Sequence, residues 1–393
     1  MQESFISSVI KFLKISFLFF LYPFTLLSIE GKNELFSVVT IGPYQNELYS
    51  AFGHSGIRYQ NFEKNIDVFY NYGVFDFNQP NFYTNYVKGE LLYMVGKYDY
   101  SLSERFYSNQ ERYIKEQILN LNSDEKIFLY NYLENNIKEE NKFYLYNYIY
   151  NNCSTKIRDI LKLTFGEKLN FNDPPLNLSY RSLIDNYLHN YKWAGIGIDI
   201  CLGSGIDNIS SSYNSMFLPE YLFLSLENAT IGNNKLVSET KINKLGNNQI
   251  FSNGFFSPNI VLSLFLFISL YFSYRQIKGY FSYKYFDSLL FFVSGSIGIL
   301  ILFLWVFTDH MSANNLNILW AFPFNIFVPF FIIKRSSSRF LNNYMMLSGI
   351  MTFLILFLWV INPKLFNDSL MIFIFSIFLR SSTNVIHYFR LKN

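Results

Sequence analysis

From Pro258 onward the chain changes character. Five apolar segments, near residues 258–274, 286–307, 316–333, 343–361 and 366–380, follow one another with short polar breaks. An apolar run of ~20 residues spans the hydrocarbon core of a bilayer as a helix. In lipid, a helix satisfies every backbone polar group within one segment. Residues 253–393 are therefore expected to form an all-α transmembrane domain with about five helices. Basic residues set its orientation. Arg275, Lys278 and Lys284 lie between the first two spans, and Lys334, Arg335 and Arg339 between the third and fourth. Arg380, Arg390 and Lys392 follow the fifth. The alternate loops, 308–315 and 362–365, hold only Lys364 among lysines and arginines. The positive-inside rule assigns the basic loops and the C-terminus to the cytoplasm, so whatever precedes Pro258 lies outside it.

The N-terminus agrees. Lys11 and Lys14 precede an apolar run from Ile15 to Ile29, interrupted by Pro23. That is a basic region followed by an apolar one, as in a secretory signal. No small-x-small cleavage site follows, so residues 1–32 read equally well as a cleaved signal peptide or an N-terminal anchor.

Residues 33–252 are polar and mixed, an α+β extracytoplasmic domain. Alternation at Ile57–Tyr59 and Ile66–Tyr70 predicts strands. Ser123-Asp124-Glu125 predicts a helix start, with Ile127, Leu129, Tyr130, Leu133 and Ile137 on its apolar face. Asp173-Pro174-Pro175 reads as a loop, and the glycines at 195, 197, 203 and 205 argue against a helix there. Phe, Tyr, Asn, Ile and Lys are all abundant, so a single tyrosine carries little functional weight. The net charge of +3 is too small and dispersed for a nucleic-acid partner. Two cysteines make no disulfide framework and match no zinc spacing, and nothing calls for a metal or cofactor.

Candidate chemistry centres on Cys153 and His54. Asn152 is placed to cap a helix beginning at Cys153 or Ser154, with Ile157, Ile160 and Leu161 as its buried stripe. A cysteine in a first helical turn gains from the positive helix end, which lowers its pKa. First-turn N–H groups, including that of Ser154, are ready donors for an oxyanion. An imidazole alongside would complete the requirement for a cysteine nucleophile. A turn at Asn61-Phe62-Glu63-Lys64 would set Arg58 opposite Asp67, Ile57 opposite Val68 and His54 opposite Asn71. His54, Arg58, Asp67, Phe69 and Asn71 would then share a sheet face. Asn71 beside His54 would orient the imidazole, the third-member role of Cys-His-Asn sites. Against this stands the ordinary reading of a lone cysteine as a small buried hydrophobe. Cys201, His189 and His387 are assigned to structural roles, Cys201 in a strand-like core stretch. A Cys153–Cys201 disulfide would abolish the nucleophile.

Several stretches, in order along the chain, resemble the Lnb family of bacterial membrane proteins. They include Thr40-Ile41-Gly42-Pro43, Leu48–Arg58 with its Phe52-Gly53-His54-Ser55-Gly56, Tyr70–Phe77, Asn81-Phe82-Tyr83 and Lys88-Gly89-Glu90-Leu91. Further on come Tyr144–Tyr148, Asn152–Asp159, Asp199, Leu202-Gly203 and Phe217–Leu222. In the membrane half, His310, Asn315, Asn317, Trp320 and Pro323 look like that family's extracytoplasmic loop. Tyr44 departs from the pattern, standing where a glycine is expected.

The resemblance implies a permuted papain-like periplasmic domain, His before Cys in sequence, as in the lecithin:retinol acyltransferase group. It also implies lipoprotein N-acyltransferase activity in the bacterial inner membrane. Cys153 would be the nucleophile and His54 the base, a membrane phospholipid the acyl donor, and diacylated lipoproteins the acceptors. His310, Asn315 and Asn317, at headgroup level, are candidates for binding substrate or docking on the catalytic domain, with Asn152 and Ser154 as further substrate-binding candidates. Two other readings stay open: a papain-like envelope peptidase or amidase, and a non-catalytic membrane scaffold.

Overall fold

The structure, a computed structural model, describes residues 33–44, 46–244, 256–279, 283–334 and 339–392. The segment read as signal or anchor lies outside the described residues. A hairpin near the start fixes the geometry of everything after it. Strands β1 (Glu34–Ile41), β2 (His54–Asn61) and β3 (Ile66–Val74) run antiparallel, with Gly56 paired to Asn71, Arg58 to Phe69 and Gln60 to Asp67. The turn is Phe62-Glu63-Lys64-Asn65, one residue later than the sequence suggests, so every β2–β3 pair moves by two. Asn65 takes the left-handed region (φ 51°), and Asn61 Oδ1 accepts the Lys64 N–H at 2.9 Å. A shift of two preserves side-chain parity. The five residues assigned to one face therefore stay there, and Arg58 reaches Asp67 diagonally at 2.7 Å.

The chain continues through α1 (Phe82–Lys88), β4 (Leu92–Asp99), α2 (Tyr100–Asn109), β5 (Ile114–Leu119), α3 (Ser123–Asn136), β6 (Phe143–Leu145) and α4 (Cys153–Phe165). Two short helices, α5 (Tyr180–Asp185) and α6 (Lys192–Cys201), precede α7 (Pro219–Asn228). A small sheet pairs β7 (Leu169–Asn170), β8 (Thr230–Ile231) and β9 (Asn234–Lys235), and β10 (Val237–Lys244) joins the main sheet. The seven-stranded order is β10-β5-β1-β2-β3-β4-β6, antiparallel throughout.

Each face of this sheet carries its own core. Phe36, Val38, Ile57, Tyr59, Tyr70 and Tyr72 meet Ile157, Ile160, Leu161 and Phe165 of α4. On the other face Val39, Ile41, Phe69 and Ile114 pack with Tyr100 and Tyr107 of α2. Helix α3 starts where expected, on an Asn122–Glu125 capping box, and buries Leu129 and Leu133, but Ile127 is exposed. The glycine-punctuated stretch is a correction. Residues 192–201 are helical, because Ile196 gains packing against the membrane domain that outweighs the glycine propensity cost. Cys201 ends that helix, half-buried, rather than sitting in a strand; both cysteines are free thiols.

The membrane domain comprises α8 (Pro258–Ile277), α9 (Lys284–Phe307), the segment Leu316–Ile333, α11 (Arg339–Ile361) and α12 (Asp368–Lys392). The third segment is not a continuous helix. Two 3₁₀ turns, Leu316–Leu319 and Pro323–Phe327, lead into the short α10 (Val328–Ile333). Irregular backbone at membrane depth persists where protein buries it or where it lines a water-filled cavity. Here Trp320 and Ala321 are buried, and Asn325 Nδ2 donates to Trp320 O at 3.2 Å and to Ser294 Oγ at 3.0 Å. Gly298 of α9 makes room: a Cβ there would stand 1.8 Å from Ala321 O. Arg380, counted with the cytoplasmic basic residues from sequence, is fully buried within α12. It pairs with Asp287 at 2.6 Å and donates to Ser273 and Gln276.

Candidate active site

Cys153 opens α4 because Asn152 caps it. Asn152 Oδ1 accepts the N–H groups of Ser154 and Thr155, both at 3.0 Å, and Thr155 Oγ1 accepts the Asn152 N–H at 2.8 Å. Asn152 Nδ2 donates to Tyr148 O and Phe217 O, both at 2.8 Å. Every polar atom of that side chain is engaged. Asn152 therefore builds the site and has nothing left for a substrate. Ser154 is fully buried with its hydroxyl 3.3 Å from Ser55 Oγ, and its amide already serves the cap. The first-turn amide left for an oxyanion among the described residues is that of Cys153 itself.

His54 begins β2 at the sheet end where α4 begins. The helix lies on one face and the imidazole belongs to the other, so thiol and ring meet around the end of the sheet. Gly73, opposite this point, has φ +94°, and a Cβ on it would stand 3.9 Å from Cys153 Cβ. His54 Nε2 lies 2.7 Å from Asn71 Oδ1, and the Tyr107 hydroxyl stands close to the same Asn71 amide. An amide oxygen only accepts, so Nε2 carries hydrogen and Nδ1 is left to take a proton.

Burial pushes the Cys153 thiol up, but the neighbouring imidazole and its hydrogen bond, the Ser55 N–H and the Ser154 hydroxyl together outweigh it. The thiol is held below its ordinary value. Burial raises Tyr107 to about 12, which keeps it neutral. The structure thus brings Cys153, His54 and Asn71 together. Chemically, such an arrangement can form and discharge a covalent intermediate on sulfur.

Two residues that sequence reasoning missed complete the surroundings. Tyr107 packs its ring 6.1 Å from that of His54. Arg112 stacks on Tyr107 at 5.0 Å, donates from Nε to Gly42 O at 2.5 Å, and keeps its buried Nη2 without a partner among the described residues. Its charge is felt at Cys153.

The membrane-loop candidates sit elsewhere. Asn315 Nδ2 donates to Ile200 O at 2.7 Å and Asn317 Nδ2 to Asp199 O at 3.0 Å, while Asn317 Oδ1 accepts the Trp320 indole N–H at 2.9 Å. Both are buried and engaged in fastening α6 to the membrane domain. His310 Nε2 lies 3.0 Å from Val87 O, so it too touches the periplasmic side and not the Cys153 cluster.

The model of the Lnb N-terminal periplasmic domain matches residues 32–186, and that of the Lnb transmembrane domain matches residues 250–392. The chain belongs to the Lnb family. It is a multi-pass membrane protein with a periplasmic domain. No curated protein and no solved structure matches it. The Lnb periplasmic match includes His54, Asn71, Arg112 and Cys153, and the Lnb transmembrane match includes His310, Asn315 and Asn317. Helix α6, which joins the two, lies between the matched stretches. Asp199 on α6 accepts from Arg181 on one carboxylate oxygen and from Asn367 of the membrane domain, at 3.0 Å, on the other. Asn315 lies in one of the two loops poor in basic residues, and Asn317 and Asn367 lie within two residues of those loops, so all three share a side of the membrane with the periplasmic domain, as the charge pattern requires.

Proposed function

We propose that this Lnb protein is a cysteine-dependent acyltransferase of the bacterial inner membrane. It would move an acyl chain from a phospholipid, through a Cys153 thioester, to the N-terminal cysteine amine of diacylated lipoproteins. The observation that carries the reading is the linked set Cys153, His54 and Asn71, in a domain fastened to the outer side of a five-span membrane domain. His54 Nδ1 takes the Cys153 proton, and the thiolate attacks the ester carbonyl. The Cys153 N–H stabilises the tetrahedral oxyanion. Collapse breaks the acyl–oxygen bond, and the leaving alkoxide takes the proton from His54 to depart as a lysophospholipid. The lipoprotein amine then attacks the thioester, gives its proton to His54, and leaves as an amide while sulfur departs. That proton returns to Cys153. Asn71 keeps the ring in the required tautomer throughout, the role of the third member in such sites.

The test is intact-mass spectrometry of lipoprotein N-terminal peptides from cells carrying wild-type or Cys153→Ala protein. Loss of the N-acyl mass in the variant supports the reading; full acylation in the variant contradicts it. Release of lysophospholipid by wild-type protein alone separates acyl transfer from peptidase or amidase action, which yields none.

A further inference from the structure

We propose that α1 is an interfacial element seated among the outer-leaflet headgroups, and that the aromatic wall running from it to Cys153 receives the acyl chain of a membrane phospholipid. This rests on the acyl-transfer reading above. Helix α1 buries none of its residues. Tyr83 is 78% exposed, and Tyr86 and Val87 are also exposed. Seven residues are too few to hold a helix in water by propensity, and this one has no buried stripe to compensate. Its position supplies the reason. Lys88 O accepts the Asp309 N–H at 2.9 Å and Val87 O meets His310 Nε2 at 3.0 Å. Asp309 and His310 come directly after α9, whose last turn exposes Trp305, Val306 and Phe307. The exposed tyrosines of α1 thus stand at the level where a membrane span ends, the depth at which aromatic side chains with a polar tip are favoured.

From there a chain of rings leads inward. Phe82 lies 6.0 Å from Phe75, Phe75 lies 5.2 Å from Tyr93, and Tyr93 stacks on Tyr146 at 4.1 Å. Tyr146 faces Gly73, where an added Cβ would be 3.5 Å from its ring and 3.9 Å from Cys153 Cβ. Gly73 is the one point on this route with no side chain, and it adjoins the nucleophile. An aliphatic chain laid along these rings would bring its ester end to the sulfur while its far end stays in the leaflet.

The full-length protein tests this in two arms. In the first, Tyr83→Cys in a Cys153→Ser, Cys201→Ser background is labelled with bimane and reconstituted in phosphatidylethanolamine nanodiscs. Lipids brominated on the acyl chain are expected to quench the label at least twofold and to shield it from aqueous iodide. In the second, Tyr83→Glu with Val87→Glu is expected to lower acylation from phospholipid vesicles at least tenfold, with the iodoacetamide labelling rate of Cys153 reporting whether the site is folded. Iodide quenching without bromolipid quenching, or wild-type transfer by the double variant, overturns the inference and leaves acyl transfer standing. Absence of any transfer by wild-type protein overturns the parent reading instead.

Discussion

The Cys153 thiol is pulled in opposite directions by its surroundings, and the balance has a measurable consequence. Because its folded-state pKa is lowered, the thiolate persists below the pH at which a free cysteine protonates. Alkylation by iodoacetamide should therefore lose rate only as pH falls through a value below the ~8.5 of a free thiol, and an inflection at or above that value would show that burial dominates. Arg112→Met removes a positive charge felt at the sulfur and should move that inflection upward, with no change expected if the charge does not act there. Tyr107→Phe removes the hydroxyl beside the Asn71 amide and should lower acyl transfer by roughly tenfold, and Asn71→Ala by ~10², both read as turnover against phospholipid vesicles. His54 and Cys153 were legible because each sits in a short, distinctive local pattern. Asn71 followed from strand parity even though the register was misplaced by two. Tyr107 and Arg112 were not legible. They reach the site from α2 and the approach to β5, contacts that only the sheet order creates, and one tyrosine among thirty-one has no individual signal.

At the scale of elements, caps and breaks decide the outcome. Asn152 holds two first-turn amides, the nearby Tyr148 carbonyl and the distant Phe217 carbonyl, so Asn152→Ala removes a cap and orphans buried groups as well. The expected loss is ~2–3 kcal/mol, read as a lowered unfolding temperature of the full chain in nanodiscs, and an unchanged temperature would contradict the assignment. The third membrane segment shows the limit of hydropathy. Composition identifies a length of chain that belongs in lipid, but not whether it is helical, because Asn325 and the space left by Gly298 supply what the broken backbone lacks. Gly298→Val would drive a side chain into Ala321 O and should destabilise the membrane domain. Residues 192–201 make the converse point: glycines argued against a helix, and packing of Ile196 against the bilayer part supplied one.

Across the whole molecule, the periplasmic and membrane domains are locked by buried polar contacts. Asp199 bridges Arg181 and Asn367, and Gly203 donates its N–H to Met311 O at 2.7 Å. A Cβ on Gly203 would stand 1.8 Å from Ala313 O, so Gly203→Val should force the domains apart. The expected result is a fall in acylation from vesicles with the Cys153 alkylation profile retained; joint loss of both would mean the periplasmic domain cannot fold without its anchor. The orientation was legible from loop charges alone, whereas the docking was not, since Asn315 and Asn317 read from sequence as substrate ligands. The central claim is a covalent acyl-enzyme on Cys153. Wild-type protein incubated with phospholipid vesicles and no acceptor should gain the mass of one acyl chain, removable by neutral hydroxylamine and located on the peptide containing Cys153. A protein of unchanged mass, or an adduct that persists in Cys153→Ala, would contradict it.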